Sequence, residues 1–263
     1  MVTMSDTSRG ATVGDTIAAR GLVRQDEHDS WLIPVVSPSP EIRLAMDDAR
    51  IHLEASSDLD RLTHGYVEVR GVWVREGAVA VRDIIPVAED AAVLAPPPSL
   101  GTQALVTLPS AAGSRAGIDL SVARSVAGEL VEKEAALHFV VVDDAEHFAV
   151  VVAATDVERV ESELGPLLGP HLVVVHSQNT PAMLRRADEI LANEERDKNL
   201  LLAGEEMSPN GDYRVVGIVK HWTSALSTAP ASALEVRAWI HPYESDSSTP
   251  ALLALTAPQR PQQ

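Results

Sequence analysis

The chain has 263 residues, with 38 Asp and Glu against 21 Lys and Arg, and a formal charge of −17. Such a field repels polyanions, because affinity for phosphate backbones comes from Lys and Arg releasing condensed counterions; the length exceeds that of one ordinary core and favours two domains. The lack of cysteine removes disulfides, thiolate metal sites and cysteine nucleophiles, and the two Phe, three Tyr and four Trp leave the cores to Val, Leu, Ile and Ala.

Residues 1–12 are polar and read as a flexible N-terminus, with neither the basic start nor the apolar stretch of a signal peptide. Asp143, Asp144, Glu146 and His147 interrupt the longest apolar run before it reaches the roughly 18 residues that a bilayer requires. A cytoplasmic protein without membrane contact is expected. From 13 to 90 the pattern is one of short β segments, at Thr16–Arg24, Trp31–Val36, Glu41–Leu44, Arg50–Glu54, Tyr66–Arg75 and Ala78–Val87, separated by Gly, Pro and Asp turns. Val67 and Val69 alternate with polar neighbours, which turns one strand face inward and the other to water. Glu76-Gly77 gives a tight reversal, so the last two segments form a hairpin. Asp58–Thr63, with Leu59 and Leu62 three apart, suits one helical turn across a barrel mouth.

Three β segments, a short turn with spaced leucines, Gly65-Tyr66-Val67-Glu68-Val69-Arg70-Gly71 and a closing strand that ends Val81-Arg82-Asp83-Ile84-Ile85-Pro86 resemble the OB-fold, a five-stranded Greek-key barrel. The resemblance implies an OB-like β-barrel over 13–90; an unrelated small antiparallel barrel or sandwich is the alternative. It also implies a face for single-stranded nucleic acid, with Trp31, Tyr66 and Trp73 as stacking platforms and Arg70, Arg75 and Arg82, beside Arg20 and Arg24, following a backbone. Nine Arg against sixteen acidic residues over 1–95 oppose that use. The arginines read instead as partners of strand neighbours and the aromatics as closures of a small core, so no nucleic acid is expected.

Residues 91–101 carry Pro96-Pro97-Pro98, a stiff spacer that neither continues a helix nor donates to a sheet, and mark a linker. Beyond it, 102–243 reads as a strand at Ala104–Leu108, a helix at Asp119–Glu134, a hairpin of Leu137–Val142 with Phe148–Ala153, a helix capped by Thr155 or Asp156, and a strand at Leu172–His176. That order, βαββαβ, is the signature of a ferredoxin-like α/β layer. Thr180-Pro181 opens a further helix with Met183, Leu184, Ala187, Ile190 and Leu191 on its apolar stripe; strands follow at Tyr213–Lys220 and Leu234–Ile240, with a helical turn between them at Thr223–Ala229. A second parse starts the unit at Phe148. With its Leu-Val-Val-Val-His-Ser run, Thr-Pro helix start and Ala-Trp-Ile-His-Pro ending, that stretch resembles an actinobacterial-type α/β module, a likeness that implies no activity. Residues 244–263 read as a flexible tail. The fold class expected is α+β.

Chemistry is mostly excluded by what the spacing lacks. No Gly-rich phosphate loop and no Gly-x-Ser-x-Gly elbow is present, and Ser114 between Gly113 and Gly117 reads as a surface loop. His171 and His176 fall on opposite faces of one strand, and His138 and His147 are out of register across a hairpin, so no metal and no cofactor is expected. His221 and His241 at strand ends are the one geometric alternative. Acidic pairs such as Asp47-Asp48, Asp143-Asp144 and Glu194-Glu195 read as solvated turns and helix ends. Ser177, Asn179 and Thr180 at a helix start are candidates for an anion site, against simple helix capping. The Val-rich strands need cover from the chain's own helices or from a second chain. The reading by elimination is a non-enzymatic protein-binding or assembly module, with a protein partner or self-association. The alternative, an enzyme with an interdomain site, would draw on His171, His176 and His221.

Overall fold

The computed structural model describes residues 11–26, 29–39, 42–54, 65–75, 77–94, 118–143, 148–207 and 213–243. The expected turn at Asp58–Thr63, the Pro96–Pro98 spacer, the strand at Ala104–Leu108, the loop at Ser114 and the tail from 244 lie outside them, as does most of the N-terminal segment.

The first strands are β1 (Thr16–Gln25), β2 (Ser30–Ile33), β3 (Val35–Ser39), β4 (Ile42–Ala45), β5 (Ile51–Glu54), β6 (Gly65–Arg75) and β7 (Ala78–Pro86). Five of them close a mixed barrel in the order β1-β2-β5-β7-β6 and back to β1, with β5–β7 the one parallel contact. That closure is compatible with the OB-like barrel expected. Alternation decides which side chains fill it: Ile17, Ala19, Val67, Val69 and Val79 are essentially inaccessible, with Leu32, Ile51 and Leu53 beside them. At Gly71 the ladder slips by one residue and β7 passes so close that a Cβ would strike the carbonyl of Ala80. A helix α1 (Glu89–Ala92) leads into β8 (Val93–Leu94), which joins β3 and β4 in a small sheet beside the barrel.

The remaining elements are α2 (Leu120–Glu132), β9 (Ala136–Asp143), β10 (Phe148–Ala154), α3 (Val157–Leu168), β11 (Leu172–His176), α4 (Pro181–Arg196), β12 (Leu200–Met207), β13 (Tyr213–Val219), β14 (Leu234–Ala238) and β15 (His241–Pro242). They form two three-stranded sheets, β9-β10-β11 and β12-β13-β14. The ferredoxin-like order is not the one found. A split βαβ unit inserts a strand between the last two parallel strands, whereas β10 and β11 are hydrogen-bonded to each other directly from Val150↔Leu172 to Ala154↔His176.

What the two sheets show instead is an internal duplication. In each copy a helix, an antiparallel hairpin, a crossover and a parallel strand follow in order, and paired strands have equal lengths of 8, 7 and 5 residues. Each helix hands over to its strand through a left-handed residue, Glu134 or Lys198, both at φ 57°. The hairpins skip a residue at the matching place: Leu137 in the first copy and Leu201 in the second. Matching backbone bonds recur, Thr155 N–H to Ala135 O and Lys220 N–H to Asn199 O, Ser177 N–H to Ala154 O and Trp239 N–H to Val219 O. The crossover differs: α3, capped by Asp156, is replaced by a single 3-10 turn at Leu226–Thr228, within the turn expected at Thr223–Ala229.

The copies stack. Val150, Val152 and Ala154 on one face of β10 pack with Ala127, Leu130, Val160 and Leu164 of α2 and α3, so the chain's own helices cover that face. Val151 and Ala153 on the other face meet α4 and the second sheet, through Ala187, Ile190 and Val215. The second sheet in turn sends Leu201 and Ile218 into the barrel's core, where Trp239 and Ile240 join them. There β15 pairs with the first half of β1, at Ile17↔Pro242 and Ala18↔His241, and Trp239 Nε1 donates to Arg20 O at 2.6 Å. Among the described residues, no helix is long and apolar enough to cross a membrane.

Candidate functional site

An open, acidic groove runs along α4. Thr180 caps that helix by accepting the amide of Met183 at 3.3 Å, and Pro181 occupies its first turn, where a missing N–H costs nothing. With Leu184, Ala187, Ile190 and Leu191 turned into the core, the flank bearing Asp188, Ala192 and Glu195 becomes one wall of a groove. Leu200, Ala203, Gly204 and Glu205 of β12 form the other wall. A cavity of 460 Å³ there adjoins one of 310 Å³, which reaches Glu132 at the end of α2, Glu134 just beyond it, Leu137 of β9 and Tyr213 of β13; both cavities share Asp188, Glu205 and Val215.

The charges in this groove are unbalanced. Glu132, Glu134, Asp188, Glu195 and Glu205 line it, against the single guanidinium of Arg185. Arg185 is engaged by Glu134 at 2.8 Å. Loss of hydration, and then the nearby Glu205 carboxylate, push the Asp188 carboxyl above its ordinary value. Burial and a hydrogen bond to Glu205 push the Tyr213 hydroxyl well up, so that it stays a neutral donor. Its ring lies flat on His138, with centroids 4.8 Å apart and planes 4° from parallel. Burial holds His138 below the ordinary histidine value, with Glu205 pulling the other way. The result is an open, acidic surface on which Asp188 and Glu205 are exposed beside a neutral Tyr–His stack.

The duplication separates what the fold needs here from what it does not. In the first copy the places of Asp188, Glu205 and Tyr213 are taken by Arg124, Val141 and Phe148. The same architecture therefore forms without either carboxylate or the hydroxyl.

The residues singled out from sequence are not gathered at one place. Trp31 is half-buried, under the Arg50 guanidinium at 4.2 Å and edge-on to His52 at 5.1 Å. The Tyr66 hydroxyl donates to Glu89 at 3.1 Å. Trp73 is buried against His221, with centroids 5.5 Å apart, and is part of the barrel's core. Arg70 pairs with Glu68 at 2.6 Å, as Arg20 does at 2.7 Å, and lies over the Tyr243 ring at 4.4 Å. Arg75 reaches Glu54 at 3.2 Å, and Arg82 is exposed on β7. Only Ser177, Asn179 and Thr180 stand together, with the Asn179 N–H donating to Ser177 Oγ at 3.3 Å. Asn179 is fully buried and donates through Nδ2 to Tyr213 O at 2.8 Å and Ser232 O at 3.0 Å, which pins the start of α4 to the second sheet.

The histidines are dispersed. His171 is buried with Nδ1 3.0 Å from Phe148 O, His176 is exposed at the end of β11, and His241 lies on β15. Among the described residues no group of three or more His, Asp or Glu is placed to hold a metal ion. Glu194 is a buried carboxylate rather than a solvated one: it accepts from Asn199 Nδ2 and from Thr223 Oγ1 at 2.5 Å. The seam between the barrel and the second sheet holds Leu201, Ile218, Trp239 and Ile240, with the His221 ring on Trp73 beside them. Sequence reasoning missed Asp188 and Glu205 altogether; the signal for them is the comparison with Arg124 and Val141, which needs the duplication first. No protein-family model matches this chain, and no curated protein sequence matches it.

Proposed function

We propose that the chain is a non-enzymatic, cytoplasmic protein-binding or assembly module that engages its partner along the α4 groove. The observation that carries this reading is the placement of exposed Asp188 and Glu205 along one open groove, at positions where the first copy of the same unit manages without carboxylates. Exposed carboxylates at places that the first copy fills with Arg124 and Val141 favour recognition over stability. Two further features support binding rather than turnover. The His171 ring is buried on Phe148 O, and the His221 ring packs edge-on to the buried Trp73.

In this reading the barrel is an OB-fold used as a structural base. Its strand order and its single parallel contact favour that identity, and the pairing of Arg20, Arg70 and Arg75 with carboxylates argues against its tracking a nucleic acid. A photo-crosslinking residue at Ala203, in the groove, tests the proposal against the same residue at Val122, exposed on the outer side of α2. A discrete protein adduct from Ala203 in the native cell, with none from Val122, is expected. No adduct from Ala203, or the same adduct from both positions, would refute it.

A further inference from the structure

We infer that β11 is a self-association edge: two copies of the chain join antiparallel through this strand, about a two-fold axis at Val174, and merge their β9-β10-β11 sheets into one. The inference goes beyond the groove reading and does not depend on it. The chain covers both faces of the first sheet with its own elements. Its β11 edge is left over. β11 pairs with β10 on one side, and among the described residues nothing pairs with the other. Leu172–Val175 are all half-buried and His176 is exposed, whereas every residue of β10 is buried.

Backbone direction defines what that edge offers. The Ser177 N–H continues the ladder to Ala154 O at 2.9 Å. Backbone groups alternate sides along a strand, so Val173 and Val175 bond to β10 while Leu172, Val174 and His176 point away from it. The Leu172 N–H turns back to Gly169 O, which leaves its carbonyl and both groups of Val174 and His176. About a two-fold axis these are self-complementary. Val174 and its copy exchange both bonds, and at each end the His176 N–H of one chain donates to the Leu172 carbonyl of the other.

Charge selects a second copy as the occupant. Two chains at −17 repel each other, so they approach best where neither carries charge. From Leu164 to Leu184 there is no Asp, Glu, Lys or Arg, in a chain of which 22% is charged. That run holds the last turn of α3, all of β11 and the first turn of α4. The segment 221–234, whose Leu226 and Ala233 share a core cluster with Val173 and Val175, has none either. The opposite edge, β9, borders the acidic groove through Leu137. The duplication supplies the contrast: β14, the counterpart of β11, carries Glu235 and Arg237, paired at 2.8 Å, where β11 has Val173 and Val175. Charged side chains on an edge strand guard against sheet extension, and β11 lacks them.

The test is sedimentation velocity of the full chain over a concentration series, with amide exchange read by NMR at both ends of it. Val174→Pro removes an outward N–H and leaves the bonds to β10 in place. His176→Pro does the same at an exposed position, where its ring strikes the Leu172 carbonyl of the other chain. Folding of both is checked by far-UV circular dichroism. The wild type is expected to be a dimer, with the Val174 and His176 amides protected at high concentration and exchanging on dilution. Each variant should dimerise about 100-fold more weakly, from lost bonds and stranded carbonyls. A wild-type monomer at about 100 μM would overturn the inference, as would a folded His176→Pro that dimerises like the wild type. Protection of the Val174 amide that does not change on dilution would also overturn it, by showing that a segment of the same chain fills the edge.

Discussion

The duplication makes a sharp statement about one pair of side chains. In the second copy Gly217 lies under Leu191, and a Cβ built on Gly217 would sit 2.6 Å from Leu191 Cδ2. At the matching places in the first copy stand Val152 and Ala127, both buried in one core, so the large and small residues have changed sides. Gly217→Val alone forces the leucine off its position and is expected to cost about 1–3 kcal/mol, the usual range for overpacking. Leu191→Ala alone leaves a void and costs about 2–5 kcal/mol. Combined, the two changes rebuild the pairing of the first copy, and the double variant should be more stable than the sum of the single losses by about 2–3 kcal/mol. The assay is a double-mutant cycle from urea unfolding midpoints at unchanged slope. Additivity to within about 0.5 kcal/mol would refute the correspondence between the two copies at the place where it is most specific.

Other consequences follow from the same geometry. The Asp188 carboxyl is held above its ordinary value of 3.8, so the folded state binds more protons than the unfolded one between 3.8 and the raised value, and stability falls as pH rises through that window. Asp188→Asn should therefore raise the melting temperature at pH 7 and lose that advantage below pH 3.8. His138 has the opposite sign: its proton affinity is depressed by burial, so stability present above 6.5 is lost as pH falls below it, and His138→Gln should flatten that slope. Asn179→Ala strands the carbonyls of Tyr213 and Ser232 and should cost about 2–4 kcal/mol, read from urea unfolding. Trp239→Ala should cost about 3–5 kcal/mol and raise amide exchange at Ile17 and Ala18, opposite β15, by hydrogen-exchange mass spectrometry.

The barrel was legible because apolar residues recur at every second position, as at Val67 and Val69, and its reversals fall at Gly and Asp; Glu68 between them does not face water as expected but is buried, paired with Arg20 and Arg70. The helices were legible from caps and stripes: Asp119, Asp156 and Thr180 all sit where their residue types predict. Strand β12 was hidden because the irregularity at Leu201 breaks its alternation, and Leu200-Leu201-Leu202 followed by Ala-Gly-Glu-Glu has neither period. The ferredoxin-like order failed for another reason: element succession does not say which strands pair, and β10 and β11 pair directly. The duplication left little trace in the chain because the copies agree mainly at apolar positions such as Leu120/Leu184, Ala123/Ala187 and Val150/Val215. Elsewhere a core leucine, Leu130, faces a networked acid, Glu194. Asp188 and Glu205 were invisible among 38 acidic residues, since nothing local to either marks it until α4 and β12 bring them together.

The most direct measurement is quantitative co-purification from the native cell with three forms of the full chain: wild type, Asp188→Asn/Glu205→Gln, and Trp31→Ala on the barrel. The wild-type and Trp31→Ala forms should retain the same protein partner in the same amount, and the groove variant should lose it. Retention by the groove variant, or loss from Trp31→Ala alone, would contradict the assignment of recognition to the groove.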